Sequence, residues 1–178
     1  MSHPIPSLWE SRWCSPLGPL RLWASERGLA RLDFDTGSDS DYSGWAQRYF
    51  GIAAPAARSG DEPLFAEAIG QLAAYFAGQL RQFELPLDLR GTPFQLQVWQ
   101  AVCAIPWGTT CSYGQIAAQL GRPAAMRAVG AANGANPVSI IVPCHRLIGA
   151  NGALRGYGGG LERKAQLLEL ERANTIPL

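Results

Sequence analysis

Ser112-Tyr113-Gly114-Gln115-Ile116-Ala117-Ala118-Gln119-Leu120-Gly121-Arg122-Pro123-Ala124-Ala125-Met126-Arg127-Ala128-Val129-Gly130-Ala131-Ala132-Asn133 is the stretch that decides the fold. Ser112 followed three residues later by Gln115 is a capping box, which opens a helix by satisfying orphan N–H groups at both ends of the motif. Ile116, Ala117 and Leu120 fall on one face of that helix, and Gly121 closes it. Arg122-Pro123 is a tight connection, and Ala124 to Asn133 again has helical character. Two short helices joined by a few residues containing Gly form a helix-turn-helix.

Upstream, Thr92-Pro93-Phe94-Gln95 repeats the capping device with Pro at the first helical position, and Phe94, Val98, Ala101, Val102 and Ile105 share one face. The second helix of the pair is surfaced by Ala and Gly and projects one long polar side chain, Arg127. Reading base edges in a major groove needs several Arg, Asn, Gln or Lys side chains, and they are missing here. Two uses stay open: close approach to a narrow surface such as a minor groove, or tight packing on a neighbouring element. The charge pattern is also two-sided. Between Gly91 and Leu161 there is no acidic residue, while Arg122, Arg127, Arg146 and Arg155 fall inside. That suits a surface meeting phosphates, and it equally follows from an apolar segment poor in charge of both signs.

Gly134-Ala135-Asn136-Pro137 is a turn, and beyond it Ile140-Ile141-Val142-Pro143-Cys144-His145-Arg146 is a short buried run ending in chemistry-bearing residues. Pro143 suits a first helical position, which would place Cys144 in a first turn where N–H groups and the helix dipole favour a thiolate. The plain alternative is a buried small hydrophobe, although an inert core thiol does not need two cationizable neighbours. Adjacent side chains diverge, so His145 is expected to reach Cys144 through a bridging water rather than directly. A glycine-rich loop follows, with six Gly residues between Gly149 and Gly160 around Arg155 and Tyr157. Its backbone can approach a ligand closely. Leu161 to Arg172 is a closing helix with Leu161, Ala165, Leu168 and Arg172 on one face, and most of its acids are expected in solvent.

The first ninety residues read as a small sheet-and-helix unit. Leu20 to Ala24 and Leu29 to Phe34 make a hairpin, Leu29, Arg31 and Asp33 alternating with Ala30, Leu32 and Phe34. Asp35 to Ser43 is a solvated loop, Trp45 to Phe50 a short helix, Leu64 to Phe76 a longer one closed by Gly78, and Phe83 to Leu89 an edge strand marked by Pro86. Trp9, Trp13 and Trp23 are assigned to core packing rather than base stacking, and Asp33 and Asp35 to solvent.

The chain has 178 residues, 47% hydrophobic and 16% charged, with a net charge of +1. This is enough for a core without staples. The charge is divided: eight Arg face eleven Asp and Glu in residues 1–90, and seven Lys and Arg face three Glu in residues 91–178. Cys14, Cys103, Cys111 and Cys144 contain no C-x-x-C pair, and the two histidines are His3 and His145. A four-ligand zinc site would need a scattered set from these six, so no metal and no cofactor are expected. The start of the chain has no signal-peptide pattern, and no stretch is an apolar run long enough to span a membrane, so a cytoplasmic protein with reduced thiols is expected; the expected state in solution is a monomer.

Taken together, Gly91-Thr92-Pro93-Phe94-Gln95 with Val98-Trp99, Ser112-Tyr113 with Gln115 and Ala117, Arg127-Ala128-Val129-Gly130, Asn136-Pro137, Ile141 to Arg146, and Tyr157 with Gly159-Gly160 resemble the O6-alkylguanine-DNA alkyltransferases, most closely the bacterial constitutive single-function type. The resemblance covers Gly91 to Glu171, and more loosely the N-terminal half through Pro16-Leu17-Gly18-Pro19-Leu20. It implies an α+β chain: a ribonuclease H-like structural domain over residues 1–90, and a mostly helical DNA-binding and alkyl-transfer domain over residues 91–178.

It also implies a one-use reaction on double-stranded DNA carrying O6-alkylguanine, with O4-alkylthymine left open as a second substrate. Arg127, with Ala125, Met126, Ala128, Gly130 and Tyr113, would meet the minor groove, Arg127 filling the stack where the base leaves. Cys144 would take the alkyl group, with His145 held by Glu171 and Asn136 tying the turn to the active segment. Tyr113 would bond the guanine ring and assist the leaving group. The carbonyls of Cys144 and Leu147 and the N–H of Gly158 would read the guanine edge, with Tyr157 and Gly159 walling the pocket. Met126 departs from the small residue common at that position, and the metal site of some relatives has no ligand set here. Two other classes compete: a non-catalytic lesion-binding module, and a cysteine hydrolase using Cys144 and His145. An intact Cys144 weakens the first, and the lack of an oxyanion-hole motif or a distant His other than His3 weakens the second.

Overall fold

The computed structural model describes residues 7–36, 40–58, 60 and 62–175. His3 with the rest of the first six residues, and positions 37–39 of the expected Asp35–Ser43 loop, lie outside the described residues. The N-terminal half is built on strands β1 (Leu8–Ser15), β2 (Gly18–Ser25) and β3 (Gly28–Phe34), followed by helix α1 (Ser40–Phe50), the short strand β4 (Ala56–Ala57) and helix α2 (Pro63–Phe76). The sheet runs β3-β2-β1-β4, antiparallel except that β4 lies parallel to β1. The β2–β3 hairpin agrees with the sequence; β1 and β4 were not anticipated, and α1 begins well before Trp45.

The expected strict alternation along β3 is broken. A register shift between Trp23 and Ala24 lets Ala30 slip out of the ladder. Ala30 therefore joins Trp23, Tyr42, Ala46 and Phe50 in a small core under α1, while Leu29, Leu32 and Phe34 face the main core with α2. Arg31 shares the α1 side, its guanidinium lying over the Tyr42 and Trp45 rings. Asp33 and Asp35 are not solvated: Asp33 pairs with Arg31 at 2.7 Å and Asp35 with Arg12 at 3.1 Å.

The outer edge of β3 determines how the halves join. The Phe83–Leu89 stretch is extended but forms no strand; it makes one bridge, with Leu29 donating to Pro86 O at 2.8 Å and Asp88 to Leu29 O at 2.9 Å. Gly28 is required there, because a Cβ would sit 2.2 Å from Pro86 O. Farther along the same edge, Leu32 N donates to Pro137 O at 2.8 Å and Ser139 N to Leu32 O at 2.9 Å. An otherwise open sheet edge is thus closed by the loop that leads to Cys144.

The C-terminal half comprises α3 (Pro93–Cys103), β5 (Cys111–Ser112), α4 (Tyr113–Gln119), α5 (Met126–Gly134), β6 (Leu147–Ile148) and α6 (Leu161–Ala173). Both capping boxes form: Gln95 N donates to Thr92 Oγ1 at 3.2 Å and Gln115 N to Ser112 Oγ at 3.1 Å, with both Gln side chains accepting from the cap N–H. The expected Ala124–Asn133 helix is shorter, because Pro123–Ala125 make a 3-10 turn and α5 begins at Met126. On α6 the buried face is Lys164, Leu167, Leu168 and Glu171, whereas Leu161, Ala165 and Arg172 are exposed. The apolar periodicity misplaced that face because two of its four inward positions are charged.

Thr92 is exposed, so Thr92→Ala removes the α3 cap without opening a cavity. The variant is expected to lose about 1 kcal/mol in urea denaturation; no change in the midpoint would show the cap to be redundant.

Candidate active site and nucleic-acid interface

The segment from Asn136 to Ile148 carries the site. Asn136 is buried and bonds both ways across its turn: Nδ2 donates to Val142 O at 2.9 Å, and Oδ1 accepts from Val138 N at 3.0 Å. Between them Ile140 adopts φ 73°, an unusual conformation for a β-branched residue, held by its own burial and by the Asn136 clasp. Ile140, Ile141 and Val142 are buried, as expected from the sequence.

Pro143 does not start an α-helix. Cys144–Arg146 form one 3-10 turn, and Cys144 N is already committed to Val142 O at 2.7 Å. The anticipated helix-dipole stabilisation of a thiolate is therefore absent. Burial pushes the thiol up to about 11, although Asn136 and the Lys164 charge work the other way. The resting site holds a neutral thiol that reacts only as its proton leaves.

His145 and Arg146 both turn away from the sulfur towards Glu171, which is fully buried. Glu171 accepts from His145 Nε2 at 2.7 Å, Tyr75 Oη at 2.9 Å, Arg146 Nε at 2.9 Å and Nη2 at 3.0 Å, and Gly108 N at 3.1 Å. Burial alone would raise this carboxyl, but hydrogen bonds and charge from His145 and Arg146 hold it at about 2. An ionised carboxylate only accepts, so Nε2 carries the ring hydrogen. Burial keeps the imidazole neutral against the pull of Glu171. His145 Nδ1 is consequently a bare lone pair, buried and without a hydrogen-bond partner among the described residues.

Lys164, the chain's one lysine, had no role assigned from sequence. It is buried, and its Nζ donates to the carbonyls of Leu147 and, at 2.6 Å, Arg155, stitching α6 to the glycine-rich loop. A lone Lys in an otherwise all-Arg chain was the available signal: a compact ammonium fits between converging carbonyls where a planar guanidinium does not. Asp33, expected in solvent, instead accepts from Ser139 Oγ at 3.2 Å and so braces the segment leading to Cys144 from β3.

Two clefts flank this centre. One, of about 690 Å³, is lined by Tyr113, Met126, Arg127, Gly130 and Tyr157; the other, of about 630 Å³, by Asp33, Asn136, Cys144 and Gly158, and Asn133 and Gly134 border both. The residues expected around one base therefore divide between neighbouring chambers. Tyr113 Oη donates to Arg155 O at 3.1 Å, bridging α4 to the glycine-rich loop. Leu147 is buried and lines neither cleft. Gly159 is a packing glycine, since a Cβ would meet the Phe34 ring at 2.6 Å and the Tyr157 ring at 2.8 Å.

On the outer face, Arg127, Met126 and Ala128 are exposed, and Ala125 and Gly130 are half-buried. Arg122 and Arg155 are exposed too, but Arg146 belongs to the buried ion pair rather than to the basic surface. Among the described residues no helix is long and apolar enough to cross a membrane.

A helix-turn-helix presenting arginines beside a buried Cys, His and Glu is the frame of a nucleic-acid-binding group-transfer protein. The chain belongs to the 6-O-methylguanine DNA methyltransferase family: residues 93–173 match the family model of its DNA binding domain, and residues 12–89 that of its ribonuclease-like domain. It is 51% identical over 163 residues to the methylated-DNA–protein-cysteine methyltransferase of Mycobacterium leprae, covering 91% of each chain. The Methanosarcina barkeri protein of the same name is 46% identical over 90% of this chain and 94% of its own. The Mycobacterium tuberculosis O6-methylguanine methyltransferase structure superposes with a TM-score of 0.83 at 45% identity over 96% of each chain. The Mycobacterium tuberculosis OGT in complex with DNA gives 0.79 at 47% identity, covering 93% of this chain and 94% of that one.

Glu171→Gln would leave Arg146 buried without its counter-charge. A loss of about 3–5 kcal/mol in urea unfolding at neutral pH is expected. Because the folded carboxyl lies below its ordinary 4.5, its contribution is present above that pH and disappears as pH falls towards about 2. The acid limb of wild-type stability should therefore flatten in the Gln variant; an unchanged limb would refute this assignment.

Proposed function

We propose that this chain repairs double-stranded DNA by moving the alkyl group of O6-alkylguanine onto Cys144 Sγ, with residues 91–178 carrying DNA binding and transfer. The observation that carries the reading is the bare, buried Nδ1 of His145, the next residue in the chain after a buried neutral thiol, with Nε2 locked to Glu171. The thiol proton passes through a bridging water to Nδ1 as sulfur attacks the alkyl carbon in line. The S–C bond forms, the C–O6 bond breaks, and the guanine leaves with its electron pair, its charge relieved by a proton from Tyr113. A thioether is not hydrolysed as a thioester is, so each molecule acts once and no cofactor takes part.

Arg127 enters the stack as the base turns out, and the Ala and Gly surface of α5 lets the backbone approach the minor groove. Tyr113, Tyr157 and Gly158 enclose the base, which requires the Tyr113–Arg155 contact to yield and the two clefts to join. Exposed Arg122, Arg127 and Arg155, in a stretch with no acidic residue between Gly91 and Leu161, supply phosphate attraction. The family affiliation and the cysteine chemistry favour a cytoplasmic monomer with reduced thiols.

Incubation with duplex DNA containing O6-methylguanine should add one methyl group to the protein mass, on Cys144. Cys144→Ser should bind that DNA and gain nothing; repair by the Ser variant would exclude Cys144 as the nucleophile, and binding without mass gain by the wild type would point to a lesion-binding module. Arg127→Ala is expected to slow repair of duplex by about tenfold, because the vacated stack costs free energy, while reaction with free O6-benzylguanine changes little. Equal losses on both substrates would remove Arg127 from base extrusion.

A further inference from the structure

Tyr75 lies on α2, in the N-terminal half of the chain, and its hydroxyl reaches across to the buried His145–Glu171 pair. The side chain is fully buried. Its ring packs against three aromatic side chains, stacked on Phe83 at 5.3 Å and edge-on to Phe76 at 5.4 Å and Trp107 at 5.2 Å. That cage holds the hydroxyl within a small volume.

From that position Tyr75 donates to Glu171 Oε1 at 2.9 Å, and its oxygen lies 3.4 Å from His145 Nε2. A hydroxyl has one hydrogen, and here it is spent on the carboxylate. What Tyr75 then turns towards Nε2 is a lone pair. Glu171 Oε1 and Tyr75 Oη therefore both demand a hydrogen on Nε2, and neither can supply one. The alternative neutral tautomer, with Nδ1–H, would set the bare Nε2 against two acceptors in a buried site, which is repulsive.

We infer that Tyr75 is a positioning residue for the alkyl-transfer reaction, a donor from the N-terminal half that fixes the His145 tautomer with Nδ1 free to accept a proton. Its second effect is on charge. By donating to Glu171 it removes part of the carboxylate's pull on the imidazole, which keeps His145 neutral and able to act as a base. The charged and titratable groups around the imidazole come from three elements: Tyr75 on α2, Cys144 and Arg146 on its own turn, and Lys164 and Glu171 on α6. Arg146 and Lys164 also favour the neutral ring, while Glu171 opposes them. Tyr75 is thus the one neutral group among them that tempers Glu171 directly.

The inference rests on the repair reading for its kinetic consequence but not for its spectroscopic one. In 15N NMR of the full chain at neutral pH, His145 should show a protonated Nε2 and a bare Nδ1. Tyr75→Phe keeps the packed ring and loses only the hydroxyl; in it the ring should titrate at higher pH, with the Nε2–H tautomer diluted. Single-turnover methyl transfer by the Phe variant should be about tenfold slower at neutral pH, with the lower limb of its pH profile moved upward and DNA affinity unchanged. Placing 4-aminophenylalanine at position 75 restores a donor and should recover most of the rate. A Phe variant with wild-type tautomer, titration and rate would overturn the inference, as would an amino variant that folds but matches Phe. Wild-type protein that takes up no methyl group would count against the repair reading alone, since the tautomer measurement stands without it.

Discussion

One buried carboxylate organises this molecule. Placing Glu171 out of water carries a large desolvation cost, and the chain offsets it by surrounding the group with hydrogen-bond donors. These come from three separated stretches, Tyr75 on α2, Gly108 in the turn after α3, and His145 with Arg146 on the 3-10 turn, and they converge on a fourth, α6, which contributes the carboxylate. The arrangement cannot be satisfied unless all four are in place. It therefore couples the folding of both halves to the orientation of one imidazole, so the proposed base is positioned by an interaction that also holds the fold together.

The thiol beside it is kept in the opposite condition. Cys144 is 5% exposed and its proton is held more tightly than in water. A nucleophile poised as a free thiolate would be open to oxidants and adventitious electrophiles. In the proposed mechanism a buried neutral thiol is protected until a partner fills the adjacent clefts and a base takes the proton, so that reactivity belongs to the assembled complex rather than to the cysteine alone.

How legible this was depended on the range of the signal. Capping boxes at Thr92 and Ser112 are local, and both form with the geometry the sequence implied. The β2–β3 hairpin was equally readable, but the slip at Trp23 and Ala24 was not, because nothing within β3 marks Ala30 as the residue to be extruded. Phe83 to Leu89 has the alternation of a strand, yet a segment pinned at Pro86 and Asp88 to one residue of β3 need not become one. Helix α6 misled for a different reason: Lys164 and Glu171 face inward because carbonyls and cations elsewhere in the chain receive them. Glu171 itself was reached only through family resemblance, and Tyr75 carried no local mark at all.

The distribution of cations has a consequence of another kind. The chain's one amine side chain, Lys164, is inside, so every exposed basic side chain among the described residues is a guanidinium. Guanidinium groups stay protonated at any physiological pH and are not substrates for lysine acetylation. The electrostatic attraction of this surface for a polyanion is therefore a constant of the protein, indifferent to acidity and to the commonest charge-erasing modification. Ionic strength remains the variable that can weaken it.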